Sequence, residues 1–522
     1  MWTNILSLTL ILMVDKSSCA RILSLMTVPA HSHAYWASNL IEALASRGHQ
    51  IVALTPESKT SSHPNVTSVY LEGGYDEKVL FEQDLDSIPP IEEPTAMMHF
   101  LFNWLADMCR TLLLSPGNKR FMADYADSHF DLILTDSTGN ECFLKYVHLF
   151  GYPPVVSVVP YGSPQWVNEL VGNFANPAYV PNQFTSFTDR MTFAERLTNL
   201  YVNTYCSLFR YFRYLPRNEA IAEEFFGFAE PGLAQLEKHV SLALVNSHFS
   251  LRYSEPIPPG LVPVAGMHIS PAKPLPKDLK NFIEGAEHGV VYFSLGSNLK
   301  SDKMSKEKQK AFMDAFARLP QRVLWKFEAD SLPELPKNVM ISKWIPQNDV
   351  LAHPNVVLFM THCGLLSVQE SIYHGVPVIG IPLMIDQYIN ANQIVQKNLG
   401  LQIKYSDIKN ADQIYQLIHT VTSDSGFKEK MDITSENFRD QPIKPLDRAV
   451  YWVEYVLRHK SLDHLHPGSL QLSWYQLNLI DVMVFLVISV IITLTLIYQL
   501  VKRLKKSTGK RKLRAPIKRR LS

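Results

Sequence analysis

After residue 20, the spacing of apolar positions is first typical of a strand, then of a helix and then again of a strand. An apolar run from Arg21 to Val28 has the length and content of a buried strand. Four apolar residues then recur at three- and four-residue spacings and share one face of a helix: Ala37, Leu40, Ile41 and Leu44. Gly48 closes that helix, and a second strand follows at Gln50 to Thr55. This order predicts a βαβ unit.

Short apolar runs separated by helical stretches continue the alternation. The predicted strands are Asp131 to Thr135, Val155 to Val159 and Ser241 to Ser247 in the first half, and Val290 to Ser294, Arg322 to Phe327, Val339 to Ser342, Val356 to Thr361 and Pro377 to Ile381 in the second. Seven prolines between Pro256 and Pro276 break regular structure and mark a linker between the halves. The pattern predicts an α/β protein with two doubly wound domains facing each other across a cleft, with ligands beyond the carboxyl ends of the strands.

The apolar segments near the two ends of the chain predict targeting and membrane insertion rather than further strands or helices of the α/β domains. Ile5 to Val14 is followed by Ser18-Cys19-Ala20, whose small side chains suit cleavage after Ala20, so residues 1–20 are predicted to be a signal peptide. Near the other end, Leu477 to Val501 is long enough to cross a bilayer, and its stretch from Val482 to Ile497 is uncharged.

The charges are distributed unevenly about this second segment. Residues 502–522 hold eleven Lys or Arg and no acidic residue, so the positive-inside rule predicts that they are cytosolic and that Arg21 to about Ser473 is lumenal. The remaining 39 basic and 49 acidic residues give residues 1–501 a net charge of −10. Nucleic acid is therefore not an expected partner, and the charge of the tail matches anionic membrane lipid.

The part of the chain that is predicted to be lumenal contains four cysteines and one glycosylation sequon. Removal of the signal peptide leaves four cysteines that are too few and too widely spaced for a disulfide scaffold or a zinc module: Cys109, Cys142, Cys206 and Cys363. The sequon Asn65-Val66-Thr67 makes Asn65 a candidate for glycosylation.

The stretch from Met191 to Phe228 is helical in period and rich in aromatic residues. Such a stripe is usually part of a core. A lipophilic substrate pocket and contact with the membrane surface stay open as alternatives.

The second half places polar residues and glycines at the ends of its predicted strands. Trp344 ends one strand and offers a flat face on which a base can stack, and Gln347 presents both a donor and an acceptor to a base edge. His362-Cys363-Gly364 follows another strand and opens a helix that runs to about Tyr373, so free N–H groups and the helix dipole face an anion there.

Two further groups complete the series. Glu370, about two turns into that helix, can accept hydrogen bonds from ribose hydroxyls, and Asp386-Gln387 begins a later helix where sugar hydroxyls would lie. A base platform, a ribose acceptor, a diphosphate cradle and sugar-binding side chains follow in order. The segment from Trp344 to Gln387 therefore predicts a site for a UDP-sugar.

This segment closely resembles the signature of the membrane-bound UDP-glycosyltransferases of animals, most of all their arthropod members. The matching runs are Trp344 to Pro354, Thr361 to Gly364, Gln369-Glu370, His374 to Pro377 and Asp386-Gln387, and beyond them Arg47-Gly48-His49, Phe293 to Ser297, Leu446 to Ala449 and Ser473-Trp474-Tyr475. The resemblance covers nearly the whole chain. It implies a GT-B fold and residence in the endoplasmic reticulum.

The resemblance also implies roles for single residues. The donor-binding residues it implies are Ser297, Trp344, Gln347, His362, Gly364, Glu370, Asp386 and Gln387. Vertebrate members often carry a small residue, Asn and Gly after the His-x-Gly turn, whereas Leu365, Leu366 and Ser367 stand here. Backbone N–H groups must then provide more of the hydrogen bonds to the phosphates.

Glycosyl transfer to a hydroxyl also needs a base for the acceptor proton. His33 stands sixteen residues before His49, the spacing that separates the catalytic His from the Gly-His pair in this family, so we choose it over His31. Asp136 follows a strand and matches the family's Asp that orients this His. A His-x-His metal pair and a helix-capping role for Asp136 are the alternatives.

Asp84-Leu85-Asp86 has the form of the metal motif of a different glycosyltransferase fold, but it lies in an acidic loop without the matching context. We interpret it as solvated surface and expect neither a metal nor another cofactor. Since the sugar in common UDP donors is α-linked, direct displacement gives a β-glycoside.

We therefore expect an inverting hexosyltransferase that acts on a small lipophilic hydroxyl compound, with UDP-glucose favoured over UDP-glucuronate. A non-catalytic nucleotide-sugar binder and an epimerase are the competing functions, and homo-oligomer formation stays open. The predicted segments are 1–20 signal peptide, 21–255 acceptor-binding domain, 256–280 linker, 281–445 UDP-sugar-binding domain, 446–475 C-terminal helix and juxtamembrane segment, 476–501 transmembrane helix and 502–522 cytosolic tail.

Overall fold

In a computed structural model the strands assemble into two parallel sheets. The structure describes residues 19–58, 61–75, 84–88, 92–459 and 462–512. Most of the predicted signal peptide and residues 513–522 of the basic tail lie outside the described residues. The chain divides into two units, Met1–His466 and Pro467–Ser522.

The first sheet has seven strands in the order β3-β2-β1-β4-β5-β6-β7. Its strands are β1 Arg21–Leu25, β2 Gln50–Thr55, β3 Val66–Tyr70, β4 Leu132–Thr135, β5 Val155–Val159, β6 Val240–Val245 and β7 Leu261–Pro263. All neighbouring strands run parallel. The last one, β7, lies inside the proline-rich segment, where no strand is predicted from sequence.

The second sheet has six parallel strands in the order β10-β9-β8-β11-β12-β13. They are β8 Val290–Ser294, β9 Arg322–Lys326, β10 Val339–Ser342, β11 Val356–Thr361, β12 Val378–Gly380 and β13 Gly400–Gln402. The five strands predicted in this half are all present, within a few residues of their expected ends.

Helices cover both sheets. In the first half they are α1 His31–Ser46, α2 Pro94–Leu113, α3 Pro116–Tyr125, α4 Lys145–Leu149, α5 Gln165–Leu170, α6 Phe193–Phe209, α7 Leu215–Phe226 and α8 Leu233–Leu236. In the second half they are α9 Lys277–Glu284, α10 Lys306–Phe316, α11 Gln347–Leu351, α12 Leu365–His374, α13 Asp386–Gln396, α14 Ala411–Ser423, α15 Ser425–Arg439 and α16 Pro445–Arg458. The second unit contains α17 Trp474–Leu477 and α18 Ile480–Lys512.

Side chains along β1 point alternately to the two faces of the first sheet, and both faces are covered. This explains why the strand sequences are apolar at nearly every position. Leu23 and Leu25 belong to the core on one face of the first sheet, and Ile22 to the core on the other. All three are buried. A parallel sheet covered on both faces needs apolar residues at every position rather than at alternate ones.

Helix α16 comes after the second sheet in the chain but packs on the first domain. Its Val450 and Val453 lie in the same core cluster as Leu40 of α1. Glu454 accepts a hydrogen bond from Nη2 of Arg47 at 2.9 Å, and His49 Nε2 lies 3.4 Å from it. The Arg47-Gly48-His49 motif therefore anchors helix α16, which follows the second sheet in the chain, to the first domain.

The prediction that Asp84-Leu85-Asp86 is solvated surface is wrong for its central residue. Leu85 is 3% exposed and packs in the core of the second domain, while Lys308 of α10 pairs with Asp86. A single apolar side chain lies between two acidic residues, and it packs against the second domain.

The aromatic stretch at 191–228 divides between core and solvent. Phe209 and Phe226 pack against the core of the first domain, whereas Phe193, Tyr201 and Phe212 are exposed. Five residues between α6 and α7, Arg210–Tyr214, form a π-helical turn. The prediction of a core stripe holds for one side of these helices only.

In the second unit, α18 contains a segment, Ile480–Ser507, that is long and apolar enough to cross a membrane. The span predicted from sequence at 476–501 overlaps it.

Two features of the first domain bear on the predicted lumenal environment. Cys109 of α2 and Cys142 after β4 form a disulfide with a Cα–Cα distance of 6.3 Å, a pairing that the cysteine spacing does not reveal. Disulfides persist in oxidising compartments. Asn65 is partly exposed just before β3, and its amide donates to the Ala45 carbonyl at 3.0 Å.

The disulfide should add to stability. We expect Cys109→Ala together with Cys142→Ala to lower the free energy of unfolding by about 2–4 kcal/mol. Thermal unfolding of the purified full chain measures this, and Cys206→Ala, at a cysteine that is free and buried, serves as the control. An unchanged midpoint temperature in the double variant, with wild-type thiol titration showing the bond formed, would contradict the expectation.

Candidate active site

Loops at the carboxyl ends of strands from both sheets enclose one cavity of about 460 Å³. This volume is within the range of sites for small molecules. Of the ten residues predicted for catalysis and donor binding, nine line it: His33, Ser297, Trp344, Gln347, His362, Gly364, Glu370, Asp386 and Gln387. The tenth, Asp136, lies behind His33.

His33 and Asp136 form a hydrogen-bonded pair at the wall of the first domain. Nδ1 of His33 lies 2.8 Å from Oδ2 of Asp136, which is 3% exposed. The backbone N–H of Thr138 donates to the other carboxylate oxygen at 3.0 Å, and the Thr138 hydroxyl donates to it as well. A carboxylate that accepts from Nδ1–H leaves the Nε2 lone pair of the ring free to take a proton.

His31 has a different carboxylate partner from His33. Its Nδ1 lies 2.8 Å from Oε1 of Glu57, and its ring stacks on Tyr75 with centroids 4.2 Å apart. The Tyr75 hydroxyl donates to the same carboxylate oxygen. Both His31 and His33 line the cavity, but only His33 is backed by a buried carboxylate.

His362 is held between two glycines. A Cβ on Gly364 would lie 2.4 Å from Nε2 of the ring, and one on Gly296 would lie 2.5 Å from Cε1. Side chains are excluded from both sides, which fixes the ring where β11 ends. Burial, with a further contribution from Lys326, lowers the pKa of His362 to about 3, so the ring is a neutral donor at physiological pH.

Strained backbone marks the two loops that precede α12 and α13. Cys363 has a φ of 64° and Ile385 a φ of 50°, in the left-handed region that non-glycine residues seldom adopt. Each residue lies just before the start of a helix. The strain is maintained by packing and turns the helix N-termini toward the cavity.

Lys326 is a cavity residue that the sequence analysis missed. It is the last residue of β9, is 8% exposed and pairs with Glu328. A lysine that directly follows three apolar residues, at the carboxyl end of a strand, is the signal that could have found it. It adds a positive charge to the region of His362 and the start of α12.

The groups predicted to meet the base and ribose are connected to one another. Trp344 is 71% exposed, which leaves its indole face open for stacking. Gln347 Nε2 donates to Ser367 Oγ at 2.9 Å and to Glu370 Oε2 at 2.6 Å. Burial raises the pKa of Glu370 to about 7.

The two residues predicted to bind the sugar differ in the hydrogen bonds that their side chains already make within the protein. Asp386 accepts a hydrogen bond from Asn390 at 2.9 Å, and burial raises the pKa of its carboxyl. Gln387 Oε1 accepts from the N–H groups of Leu383 at 2.9 Å and Met384 at 3.1 Å, so it supports the loop before α13. Its Nε2 is the part of the side chain that remains for a ligand.

The end of the cavity in the first domain is apolar. Four of its lining residues come from the β1 loop and α2: Val28, Leu101, Trp104 and Leu105. Gly139, in the loop after Asp136, packs so closely that a Cβ would lie 2.4 Å from Leu105. The loop that carries Asp136 therefore rests directly on the wall of the apolar pocket.

Substitution of one of the two glycines beside His362 tests whether the position of this ring matters for UDP binding. We expect Gly364→Ala to displace the ring, since Gly296 leaves no room behind it, and overpacking of this kind costs about 1–3 kcal/mol. Affinity for UDP should fall about 5- to 150-fold, as calorimetry would measure. Gly232→Ala, where a Cβ meets nothing closer than 3.8 Å, is the matched control. Wild-type affinity in Gly364→Ala, with the fold intact, would exclude this role.

Comparison with known proteins gives consistent results. A family model described as UDP-glucoronosyl and UDP-glucosyl transferase matches residues 21–514. The chain is 35% identical to UDP-glycosyltransferase UGT5 of Dactylopius coccus, covering 95% of this chain and 94% of that one. It is 34% identical to UDP-glucosyltransferase 2 of the same organism, with 93% of each covered, and 32% identical to UDP-glucuronosyltransferase 2B15 of Rattus norvegicus, with 95% of each covered.

Solved structures share the fold at lower identity. The calicheamicin glycosyltransferase CalG4 matches 85% of this chain and all of its own, with a TM-score of 0.55 and 19% identity. A UDP-glucosyltransferase of Polygonum tinctorium that glucosylates indoxyl matches the same shares, with a TM-score of 0.57 and 17% identity. These neighbours confirm the expected GT-B architecture of two parallel sheets.

Proposed function

Since this chain belongs to the family of UDP-glucuronosyl and UDP-glucosyl transferases, and is a UDP-glycosyltransferase, we propose that it moves glucose from UDP-glucose to a hydroxyl of a small lipophilic compound. The observation that carries the proposal is the hydrogen-bonded pair of His33 and Asp136, which faces the predicted donor site across one cavity. The apolar end of that cavity, at Leu101 and Trp104, suits a lipophilic acceptor.

The geometry supports the following sequence of events. Nε2 of His33 removes the proton of the acceptor hydroxyl, and the oxygen attacks the anomeric carbon as the bond from that carbon to the diphosphate breaks. Asp136 stabilises the imidazolium that forms. The charge that develops on the leaving UDP meets the N-terminus of α12, the neutral His362 donor and the ammonium of Lys326.

These three groups provide for the diphosphate charge without an ion, so we propose that turnover needs no metal. Treatment with a chelator would then leave the rate unchanged. The Asp84-Leu85-Asp86 segment, with Leu85 in the core of the second domain, supplies no free metal motif.

The donor is proposed as glucose because one of the two Dactylopius coccus relatives is named a UDP-glucosyltransferase. Asp386 at the proposed sugar end of the cavity is a hydrogen-bond acceptor that suits the hydroxyl groups of a hexose.

Within the described residues, one helix segment, Ile480–Ser507, is long and apolar enough to cross a membrane, which supports a single-pass membrane protein. We propose that the enzyme is resident in the endoplasmic reticulum with both α/β domains lumenal and the basic tail cytosolic. The disulfide between Cys109 and Cys142 and the sequon at Asn65 support an oxidising, glycosylating compartment.

Asp136→Asn tests the catalytic pair. We expect it to keep the fold and UDP affinity while turnover falls about 10²- to 10⁴-fold, because the imidazolium loses its stabilising charge. Asp131→Asn is the matched control, since Asp131 lies at the opposite end of the same strand and is exposed. Steady-state kinetics with UDP-glucose and a panel of phenols measures the effect. Undiminished turnover in Asp136→Asn would reject the pairing.

The product distinguishes the competing functions. Incubation with UDP-glucose and a phenol should give a β-glucoside by NMR, and kcat/KM should be higher with UDP-glucose than with UDP-glucuronate. An α-linked product would overturn the inverting mechanism. Release of free sugar and UDP without an acceptor would favour an epimerase-like activity, and the absence of any product would favour a non-catalytic binder.

A further inference from the structure

A single buried amide joins the two strained turns that precede α12 and α13. Asn390 lies on α13, one turn after Asp386, and is 0% exposed. Its Nδ2 donates to the carbonyl of Cys363 at 3.0 Å and to Oδ2 of Asp386 at 2.9 Å. An amide nitrogen carries two hydrogens, so one is used on each of the two turns.

The carbonyl of Cys363 lies outside the hydrogen bonds of α12. Those bonds begin one residue later, where the carbonyl of Gly364 accepts from the N–H of Val368 at 3.1 Å. Cys363 is buried, and a buried carbonyl without a donor is costly. The hydrogen bond from Asn390 therefore stabilises the left-handed conformation of Cys363, from which α12 starts.

The side chain of Cys363 is enclosed between β12 and α13. A Cβ on Gly380, the last residue of β12, would lie 2.7 Å from Sγ of Cys363 and 3.3 Å from Cβ of Ala391. Ala391 is the residue after Asn390 on α13. The turn at Cys363 thus packs closely on the part of α13 that carries the amide.

Asp386 is held in place by the same amide. It is the first residue of α13 and follows Ile385, whose φ is 50°. Asn390 occupies its Oδ2, while the residue lines the cavity. A carboxylate whose orientation is already fixed loses less conformational entropy when a ligand hydroxyl binds it.

The Asn390 amide has only one favourable orientation, because both of its partners are oxygen atoms that accept. The reverse orientation would place Oδ1 against two acceptors. In the observed orientation Oδ1 has no hydrogen-bond partner among the described residues, and the two Nδ2 bonds must outweigh that cost. The position therefore requires an amide, and a carboxylate of the same shape does not replace it.

We propose that Asn390 is a positioning residue for the UDP-sugar: through one amide it fixes the turn at Cys363 and the carboxylate of Asp386 relative to each other. Asn390 is not among the residues that line the cavity, so it acts through these two groups. This proposal rests on the proposed binding of diphosphate at the start of α12 and of the sugar at Asp386.

Titratable groups of several neighbouring elements also face Asp386. His33 on α1 and Arg252, after β6, favour its ionised form. Tyr161, after β5, and the thiol of Cys363 face it as well, and burial raises the pKa of both, so they stay neutral. A carboxylate at position 390 would bring a second negative charge to the place where Nδ2 now lies 2.9 Å from Oδ2.

Calorimetry of UDP and UDP-glucose binding to the full chain tests the role of Asn390. Asn390→Ala removes both hydrogen bonds, so we expect affinity for both ligands to fall about 5- to 150-fold. This factor should change little between about pH 6 and about pH 8, since no new charge is introduced.

Asn390→Asp keeps the shape of the side chain but should give a pH-dependent loss. When the two carboxyl groups share one proton, a hydrogen bond to Asp386 is restored, and when both are ionised they repel. The pKa of the pair is raised, so affinity is retained at acidic pH and lost as pH rises. Relative to the wild type at the same pH, affinity for UDP-glucose should fall about tenfold or more between about pH 5 and about pH 8.

Asn199 provides the matched control. It is also 0% exposed, and its Nδ2 donates to two oxygens, the carbonyls of Pro177 at 2.7 Å and Val180 at 2.9 Å. Both partners lie in the segment before α6 of the first domain. Asn199→Ala and Asn199→Asp should lower the midpoint of thermal unfolding without changing the affinities of the folded protein or their pH dependence.

The outcomes distinguish this role from the proposed function. Wild-type affinities in both Asn390 variants would overturn the role, and so would an affinity of Asn390→Asp that keeps a constant ratio to the wild type across the pH range. If thermal unfolding shows that Asn390→Asp does not fold, the UDP affinity of Asn390→Ala decides. Wild-type affinity for UDP-glucose in Asp386→Asn would instead reject the proposed sugar contact.

Discussion

Every strand in each of the two sheets runs in the same direction, and the site depends on this constraint. Parallel pairing collects all the loops that follow the strands on one edge of a sheet. In the first domain that edge carries His33 and Asp136, which are 103 residues apart in the chain yet 2.8 Å apart in space. In the second domain it carries Lys326, His362 and the start of α13. The cavity forms where the two edges face each other.

Precision within the cavity comes from backbone rather than from additional polar contacts. Gly296 and Gly364 fix the His362 ring by leaving no space for any other position. Cys363 and Ile385 hold strained conformations immediately before helix starts. Strain of this kind persists only where surrounding packing enforces it, and here β11, β12 and the helices that follow them provide that packing. The result is a set of donors held in place at the edge of the second sheet where we propose that the diphosphate binds.

The two domains are also joined by contacts that lie away from the cavity. Helix α16 returns to the first domain, where Glu454 meets Arg47. Leu85 of the first domain is buried in the core of the second, and the linker residue His268 lies between Tyr35 and Glu370. The proposed reaction needs a base from one domain and a donor site from the other, so these contacts determine whether the two halves of the proposed site meet.

The sequence by itself determined the architecture and identified nine of the residues that line the cavity. Apolar runs bounded by helical periods identify the two α/β domains, because parallel strands buried on both faces need apolar residues throughout. The glycines, His362 and Asp386 are recognisable since they follow strands directly and match a family signature. The sequence also singled out His33 and Asp136, by their place after strands and by the family resemblance, which implies that Asp136 orients His33, and the two side chains lie 2.8 Å apart.

Only the tertiary structure decided the contacts that depend on distant packing. Leu85 appears solvated among its acidic neighbours, and the second domain that buries it is more than 200 residues further along the chain. The pairing of Cys109 with Cys142 and the approach of His268 to Glu370 likewise leave no local pattern. Periodicity reports which face of an element is buried. It does not report what the element is buried against, and that is what sets the protonation and position of these groups.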